Sequence, residues 1–210
     1  MSQDKVYIIG AGGHGQVVLD CAKFSFSVEG FLDDDPSLLG KVINGVKVIG
    51  GSDLAKSLDG FFVVAIGDNL KRKEMVERLN LDPSKFAKIF YPSAILGSNV
   101  EIGEGSMIIG GVVINANTKI GSHTIINTSA SIDHHNEIGD FVHVSPGVHM
   151  GGNVVIDKGA FIGIGASIIP GIKIGKWSVI GAGTVVIEDV PDYATVVGVP
   201  GRVIKRRQEI

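Results

Sequence analysis

Six histidines occur in the 210 residues, and four of them, His134, His135, His143 and His149, fall between Asp133 and Met150. Imidazole is the side chain whose ordinary pKa lies nearest neutrality, so it suits the removal of a proton from an attacking group. Acyl transfer from a thioester to an amine is one reaction that needs such a base. His134 is the strongest candidate, because it stands two positions after the aliphatic Ile132, on an outer surface beside a turn. Asp133 and His135 flank it and are the groups that would modulate a base there. His123 and His149 read as solvated or hydrogen-bonded surface histidines.

A second set of residues suits phosphate. Gly10, Gly12 and Gly15 in the run Gly10-Ala11-Gly12-Gly13-His14-Gly15 fit a glycine fingerprint between a strand and a helix. Glycine lets backbone approach a phosphate, and a helix N-terminus supplies amide donors. Asp33 and Asp34 follow a second strand, where a carboxylate meets ribose hydroxyls or a base N–H; an Asp-Asp-Asp run by itself is more often a solvated turn. Gly67 ends a further strand on the same expected edge.

Two different rhythms must position these groups. From Leu96 an aliphatic residue recurs at every sixth position through Val186, sixteen times without an insertion. Four positions after each, the residue is mostly small or β-branched, as at Ser106, Val112, Thr118, Ala130 and Ala160. A period of six is neither helical nor that of an alternating strand. It implies a parallel β-helix in which three hexads make one coil of 18 residues, with coils stacked roughly 4.8 Å apart. A β-sandwich with coincidental spacing is the bland alternative. Residues 1–90 read instead as alternating strands and helices: Lys5–Ile9, a helix over 16–24, 28–32, 61–66, a helix over 70–79, and 86–90. That pattern implies a small parallel sheet. About ninety residues supply one mononucleotide-binding half, so a nucleotide or nucleotide sugar fits better than the dinucleotide of a dehydrogenase. The expected division is 1–90, 91–187 and a tail over 188–210.

Stacking then builds a site. One coil beyond His134 lies Gly152, whose bare backbone N–H would face the oxyanion of a tetrahedral intermediate. His143, nine positions on, is half a coil around, so a site using both histidines lies between subunits, in a closed threefold ring. The net charge of −3 gives no field for nucleic acid or membrane, and no apolar run is long enough for a membrane span. The single cysteine, Cys21, and the absence of a signal-like start suit a reducing, cytoplasmic setting.

The whole chain resembles the bacterial sugar acetyltransferases of the PglD/NeuD type. The resemblance is carried, in order, by Gly-Ala-Gly-Gly-His-Gly at 10–15, Leu-Asp-Asp at 32–34, Ala-Ile-Gly-Asp-Asn at 65–69, Ile-Asn-Thr-Ser-Ala-Ser-Ile-Asp-His-His at 126–135, Phe-Val-His-Val-Ser at 141–145 and Val-Val-Gly-Val-Pro-Gly at 196–201. It implies an α/β half-Rossmann domain followed by a left-handed parallel β-helix of hexapeptide repeats. It also implies a homotrimer, acetyl-CoA as donor without a metal, and a nucleotide sugar as acceptor. It places the general base on His134, acetyl-CoA contacts on His143, Ile164 and Ala182, and nucleotide-sugar contacts on Gly12, Gly13, His14, Asp33, Asp34 and Gly67. The implied reaction is N-acetylation of a UDP-linked 4-amino-4,6-dideoxy-N-acetylhexosamine. O-acetylation of a sialic-type sugar and a non-catalytic nucleotide-sugar-binding scaffold are the alternatives. The family's N-acetyltransferases carry an acidic residue after the catalytic histidine, where this chain has His135. Asp133 precedes His134 as the alternative acidic partner, but neighbours on an extended strand point to opposite sides; the His135 ring is likewise expected to point elsewhere and to matter less.

Overall fold

The computed structural model describes residues 3–207. The N-terminal part is a five-stranded sheet. Its strands are β1 (Lys5–Ile9), β2 (Ser27–Leu32), β3 (Val42–Ile43), β4 (Val46–Gly50) and β5 (Phe61–Val64), in the order β3-β4-β2-β1-β5. All neighbours are parallel except the β3–β4 pair. That hairpin was not foreseen. Its signal is Asn44-Gly45, both at positive φ (48° and 83°), the dipeptide that a tight two-residue hairpin turn demands. Helix α1 (Gly13–Ala22) follows β1, and α2 (Asn69–Leu79) follows β5, capped by the Asp68 side chain, which accepts from the Lys71 amide.

The chain runs from β1 to β2 on one side and reaches β5 on the other. The gap between the carboxyl ends of β1 and β5 is therefore the point at which the strand order reverses, where open α/β sheets bind ligands. The glycine run and Gly67 both lie there.

The expected strand at 86–90 divides. Phe86 makes one bridge to Phe62, whereas β6 (Ile89–Phe90) pairs with Met107–Ile108 and is already the first rung of the β-helix. Sixteen two-residue strands follow, β7 (Ile95–Leu96) to β22 (Val185–Val186). Each pairs in parallel with the strand 18 residues away, as in Ile114↔Ile132↔Met150. The result is a three-sided prism. The second residue of each strand points inward, and Ile108, Ile114, Ile126, Ile132, Val144, Ile162 and Ile180 are all essentially buried. Leu96 departs from the expected inward series: it is 42% exposed, because no rung lies below it. The tail does not leave the stack at once. β23 (Ala194–Val197) adds a further rung beside Val179–Ile180, and β24 (Arg202–Arg206) turns back antiparallel against it.

The two halves share a core. Ile89, Met107 and Ile125, on the outer face of the largest β-helix sheet, pack in one cluster with Val18, Cys21, Phe31 and Val63. A buried cation rivets the seam. Arg72 is fully buried, and its guanidinium donates to the carbonyls of His123, Phe141, Ile66 and Gly67 and to the Asn69 side chain. Asn69 in turn donates to the carbonyls of Gly159 and Ala160. Burial lowers the Arg72 pKa to about 9, offset in part by Asp68.

Candidate active site

The three fingerprint glycines do three different jobs. Gly10 has φ +102°. A Cβ on Gly15 would stand 2.0 Å from the Gly10 carbonyl oxygen, so only glycine lets α1 approach β1 this closely. At Gly12, Gly13 and Gly67 a Cβ would meet nothing within 4 Å. The space in front of these three is open, as it must be where a ligand approaches the α1 N-terminus.

Asp33 and Asp34 are committed within the domain. Asp33 Oδ2 accepts from the Ala11 amide at 2.8 Å, which fixes the glycine loop, and its Oδ1 accepts from the Asp35 amide at 2.9 Å. Asp34 accepts from the amide and hydroxyl of Ser52 and pairs with Arg78 at 2.5 Å. Both line the carboxyl edge of the sheet; their observed role is to shape it.

The crevice opens directly onto the β-helix. His143 stands on the outer face of the largest sheet and is 8% exposed. Its Nδ1–H donates to the Gly67 carbonyl at 3.0 Å, and its Nε2 accepts from the Asn127 side-chain Nδ2–H at 3.2 Å. His14 lies beside it, ring centroids 6.2 Å apart, with its Nε2 buried and without a partner. Burial, above all, lowers the pKa of both rings to about 4; for His14 the neighbouring His143 and Arg72 lower it further, and for His143 Arg72 opposes the hydrogen bond to Gly67. Both are therefore neutral imidazoles. A cleft of about 600 Å³ continues from here, lined by Gly67, Lys71, His143, Phe161, Trp177 and Arg207. A second groove of about 620 Å³ runs along the charged face from Glu101 to Lys158 and contains none of the candidate residues.

Ile164 and Ala182 lie 18 residues apart at equivalent corner positions of successive coils, and both are exposed. They form a track along the β-helix beside the sheet that carries His143.

His134 occupies a different place. It sits on the exposed corner between Ser131–Ile132 and Glu137–Ile138, across the prism from the His143 sheet. The corner is held from inside by Asn136, fully buried, which donates to the Asp133 carbonyl and accepts from the Val154 amide. The expected stacking on Gly152 is present: a Cβ there would stand 2.6 Å from His134 Cε1, so the ring lies on bare backbone. The expectation for His135 fails. This residue is not on an extended strand but in the left-handed region, φ +58°. The turn brings its Nδ1 to 3.0 Å from His134 Nδ1, with ring planes at 84°. Asp133 makes no hydrogen bond to the ring; its carboxylate accepts from the Asn115 side chain and from the His134 backbone amide, bonds that lower its pKa, as does the charge of His134 nearby.

The two expected surface histidines also separate. His149 is exposed and bonds to Ser131 at 2.7 Å. His123 is 6% exposed and sandwiched between Phe86 and Phe141, a seam residue. Asn127 was read only as one residue of the 126–135 motif, with no role of its own, and Asn136 was not singled out. Asn136 carried a signal: it breaks the column of small residues at the fourth hexad position.

Residues 5–79 match the PglD N-terminal domain family, and residues 153–188 match the bacterial transferase hexapeptide (six repeats) family. The GDP-perosamine N-acetyltransferase of Escherichia coli O157:H7 is 34% identical over 95% of this chain and 96% of its own length. The UDP-N-acetylbacillosamine N-acetyltransferase of Bacillus subtilis is 40% identical over 50% of each. Among solved structures, PerB from Caulobacter crescentus in complex with CoA and GDP-perosamine superimposes with a TM-score of 0.87 at 35% identity, covering 96% of this chain and 97% of that one. The chain belongs to this family of acetyl-CoA-dependent sugar acetyltransferases, and its β-helix is the left-handed one of hexapeptide-repeat transferases.

Proposed function

We propose that the chain transfers the acetyl group of acetyl-CoA to the amino group of a nucleotide-linked amino sugar, with His134 as general base. The observation that carries this reading is the crevice between β1 and β5. It holds an orphaned imidazole nitrogen on His14 and opens onto the β-helix face at His143. A nucleotide diphosphate on the Gly12–Gly13 backbone has its sugar end directed at the surface on which acyl transfer takes place.

In the proposed step the neutral amine attacks the thioester carbonyl. His134 Nε2 takes the amine proton, and the developing oxyanion meets the Gly152 amide. Collapse of the intermediate expels the CoA thiolate, which receives the proton back from His134. Acetyl-CoA runs along Ile164 and Ala182 with its thioester end toward His143. Because His134 and His143 face away from each other in one protomer, the working site combines the His134 corner of one copy with the crevice of another. A trimer closes such a ring. Light scattering that found a fully active monomer of 22.0 kDa would exclude this arrangement.

The acceptor is the finer part of the reading. The sequence motifs favour a UDP-linked 4-amino-4,6-dideoxy-N-acetylhexosamine; the end-to-end likeness to the Escherichia coli enzyme favours GDP-perosamine. Thiol release from acetyl-CoA, measured with both nucleotide sugars and with sialic acid, decides among them. Release with sialic acid alone points to O-acetylation, and release with none points to a binding scaffold. With the best acceptor, His134→Ala lowers kcat by about 10²–10⁴ with little change in either substrate's binding, because a base acts mainly in the transition state. Near-normal turnover of that variant removes His134 from the mechanism.

A further inference from the structure

The three outer faces of the β-helix differ in charge. The largest sheet is roofed by the N-terminal domain at Ile89, Met107 and Ile125. The five-stranded sheet carries Glu101, Lys119, Glu137 and Lys173, a solvated ladder of charges. The six-stranded sheet, from β7 to β22, carries Ile95, Val113, Ser131, His149, Ser167 and Val185 at its outward positions. None of these is a carboxylate, a lysine or an arginine.

This third face lies between the two corners that the proposed acyl site joins. One edge is the corner of Ile164, between Phe161–Ile162 and Ser167–Ile168; the other is the corner of His134. When the His134 corner of one copy meets the Ile164 corner of the next in a threefold ring, the face between them turns toward the axis in every copy. The reverse arrangement would drive three prisms into the same space. A face without fixed charges suits this place, because any charge on it would meet two copies of itself.

His149 stands at the centre of the face and is exposed, with Nδ1 2.7 Å from the Ser131 hydroxyl one coil away. With Nδ1–H donating to that hydroxyl, Nε2 keeps its lone pair. Among the described residues no hydrogen bond engages Nε2. The centre of a face about five residues wide, roughly 17 Å, stands about 5 Å from the axis of a triangle closed by three such faces, and somewhat farther when a CoA arm separates the corners. An imidazole side chain spans that distance.

We propose that the three copies of His149 in the ring direct their Nε2 atoms at the threefold axis and form a site for one divalent transition-metal ion of the zinc class, with Ser131 orienting each ring. This placement rests on the ring put forward above, in which the His134 corner of one copy completes the crevice of another. Three neutral imidazoles and one water make a four-coordinate zinc site, and imidazole nitrogen suits zinc, cobalt and nickel better than calcium or magnesium. Ser167, one coil on, is small and leaves room on the axis for the water. Among the described residues of one chain no three metal-ligating groups come together; threefold symmetry supplies the number. The ion takes no part in acyl transfer. It binds the assembled ring and not the separated chains, and so stabilises the assembly by mass action.

The full-length protein is stripped with EDTA and its mass is taken by light scattering before Zn2+ or Co2+ is added. Equilibrium dialysis then gives one ion per three chains, and Co2+ shows the intense visible absorption of a four-coordinate site. Zn2+ raises the melting temperature of the unmutated protein. His149→Ala takes up no ion, loses that rise and keeps its turnover, because His149 touches neither substrate in the proposed site. Ser131→Ala weakens metal binding roughly tenfold to a hundredfold, the usual cost of losing the partner that orients a ligating histidine. The exposed pair His134 and His135 is the competing site. An ion held there appears once per chain, survives His149→Ala and is lost in His134→Ala, a result that overturns the proposal. A trimer that takes up no ion overturns it too, and normal turnover of that trimer, abolished by His134→Ala, leaves the acyl site standing. A monomer by light scattering removes the ring and the metal site together.

Discussion

His143 and His134 lie nine residues apart in one unbroken repeat, and their surroundings are opposite in kind. His143 is roofed by a second domain, held at both ring nitrogens and kept neutral by burial. His134 stands on an open corner, placed by one glycine and one neighbouring ring. A solenoid offers equivalent outward positions on every coil, so the repeat itself does not distinguish them. What distinguishes them is what lies on top. Where the N-terminal domain covers the β-helix, side chains are buried and hydrogen-bonded across the seam; where nothing in the protomer covers it, they stand exposed.

If this contrast holds, changes at the covered region cost folding and changes at the corner cost turnover. The largest expected effect is on acid stability. His14, His123 and His143 all have pKa values lowered to about 4, in each case mainly by burial. Unfolded, each titrates near 6.5. Below that value the unfolded chain binds protons that the folded chain does not, so the stability present above pH 6.5 is lost as the pH falls toward 4. Each histidine contributes a slope of roughly 1.4 kcal/mol per pH unit in that window. Urea midpoints at pH 7.5, 6 and 5 should fall steadily; a flat series would mean that these rings are not held neutral. Next comes Arg72→Met, which strands the carbonyls of Ile66, His123 and Phe141 and the Asn69 side-chain oxygen and should cost about 3–5 kcal/mol by urea unfolding, at roughly 1 kcal/mol or more for each unsatisfied group. A loss below 1 kcal/mol would mean that the seam is held by its apolar contacts alone. Smallest in stability is Gly152→Ala. The added methyl must push the His134 ring aside, and this exposed ring can move. We expect kcat to fall about tenfold to a hundredfold while stability changes by less than about 0.5 kcal/mol. If stability and turnover fall together, the corner is as constrained as the seam, and the comparison breaks.

The β-helix was legible because its signal is one number, a period of six, from which the 18-residue register and the placement of Gly152 against His134 follow. The same rule recurs at Gly105 beneath His123 and Gly159 beneath Trp177, where an added Cβ would stand 2.3 Å and 2.4 Å from the ring above. Those pairs went unread because no chemistry drew attention to them. The seam was not legible. Arg72 in a helix rich in Lys and Glu reads as a solvated residue, and nothing local says that a sheet face will cover it. The orientation of His135 was misread because a strand rule was applied to a corner; the left-handed backbone there is stabilised by stacking on Ala116 and Asn153, which are distant in sequence. His134, His14, Gly67 and His143 were all named from the sequence. That His14, Gly67 and His143 converge on one crevice required the coordinates.

The last strand of the chain has a consequence for how the protein keeps to itself. A stack of parallel rungs has no inherent end, and an open rung is a template on which another molecule's chain can polymerise. β24 reverses direction and faces outward with Arg202, Lys205 and Arg206, all exposed. Two copies meeting through this edge would bring like charges together, so the edge is guarded against pairing with its own counterpart on another copy.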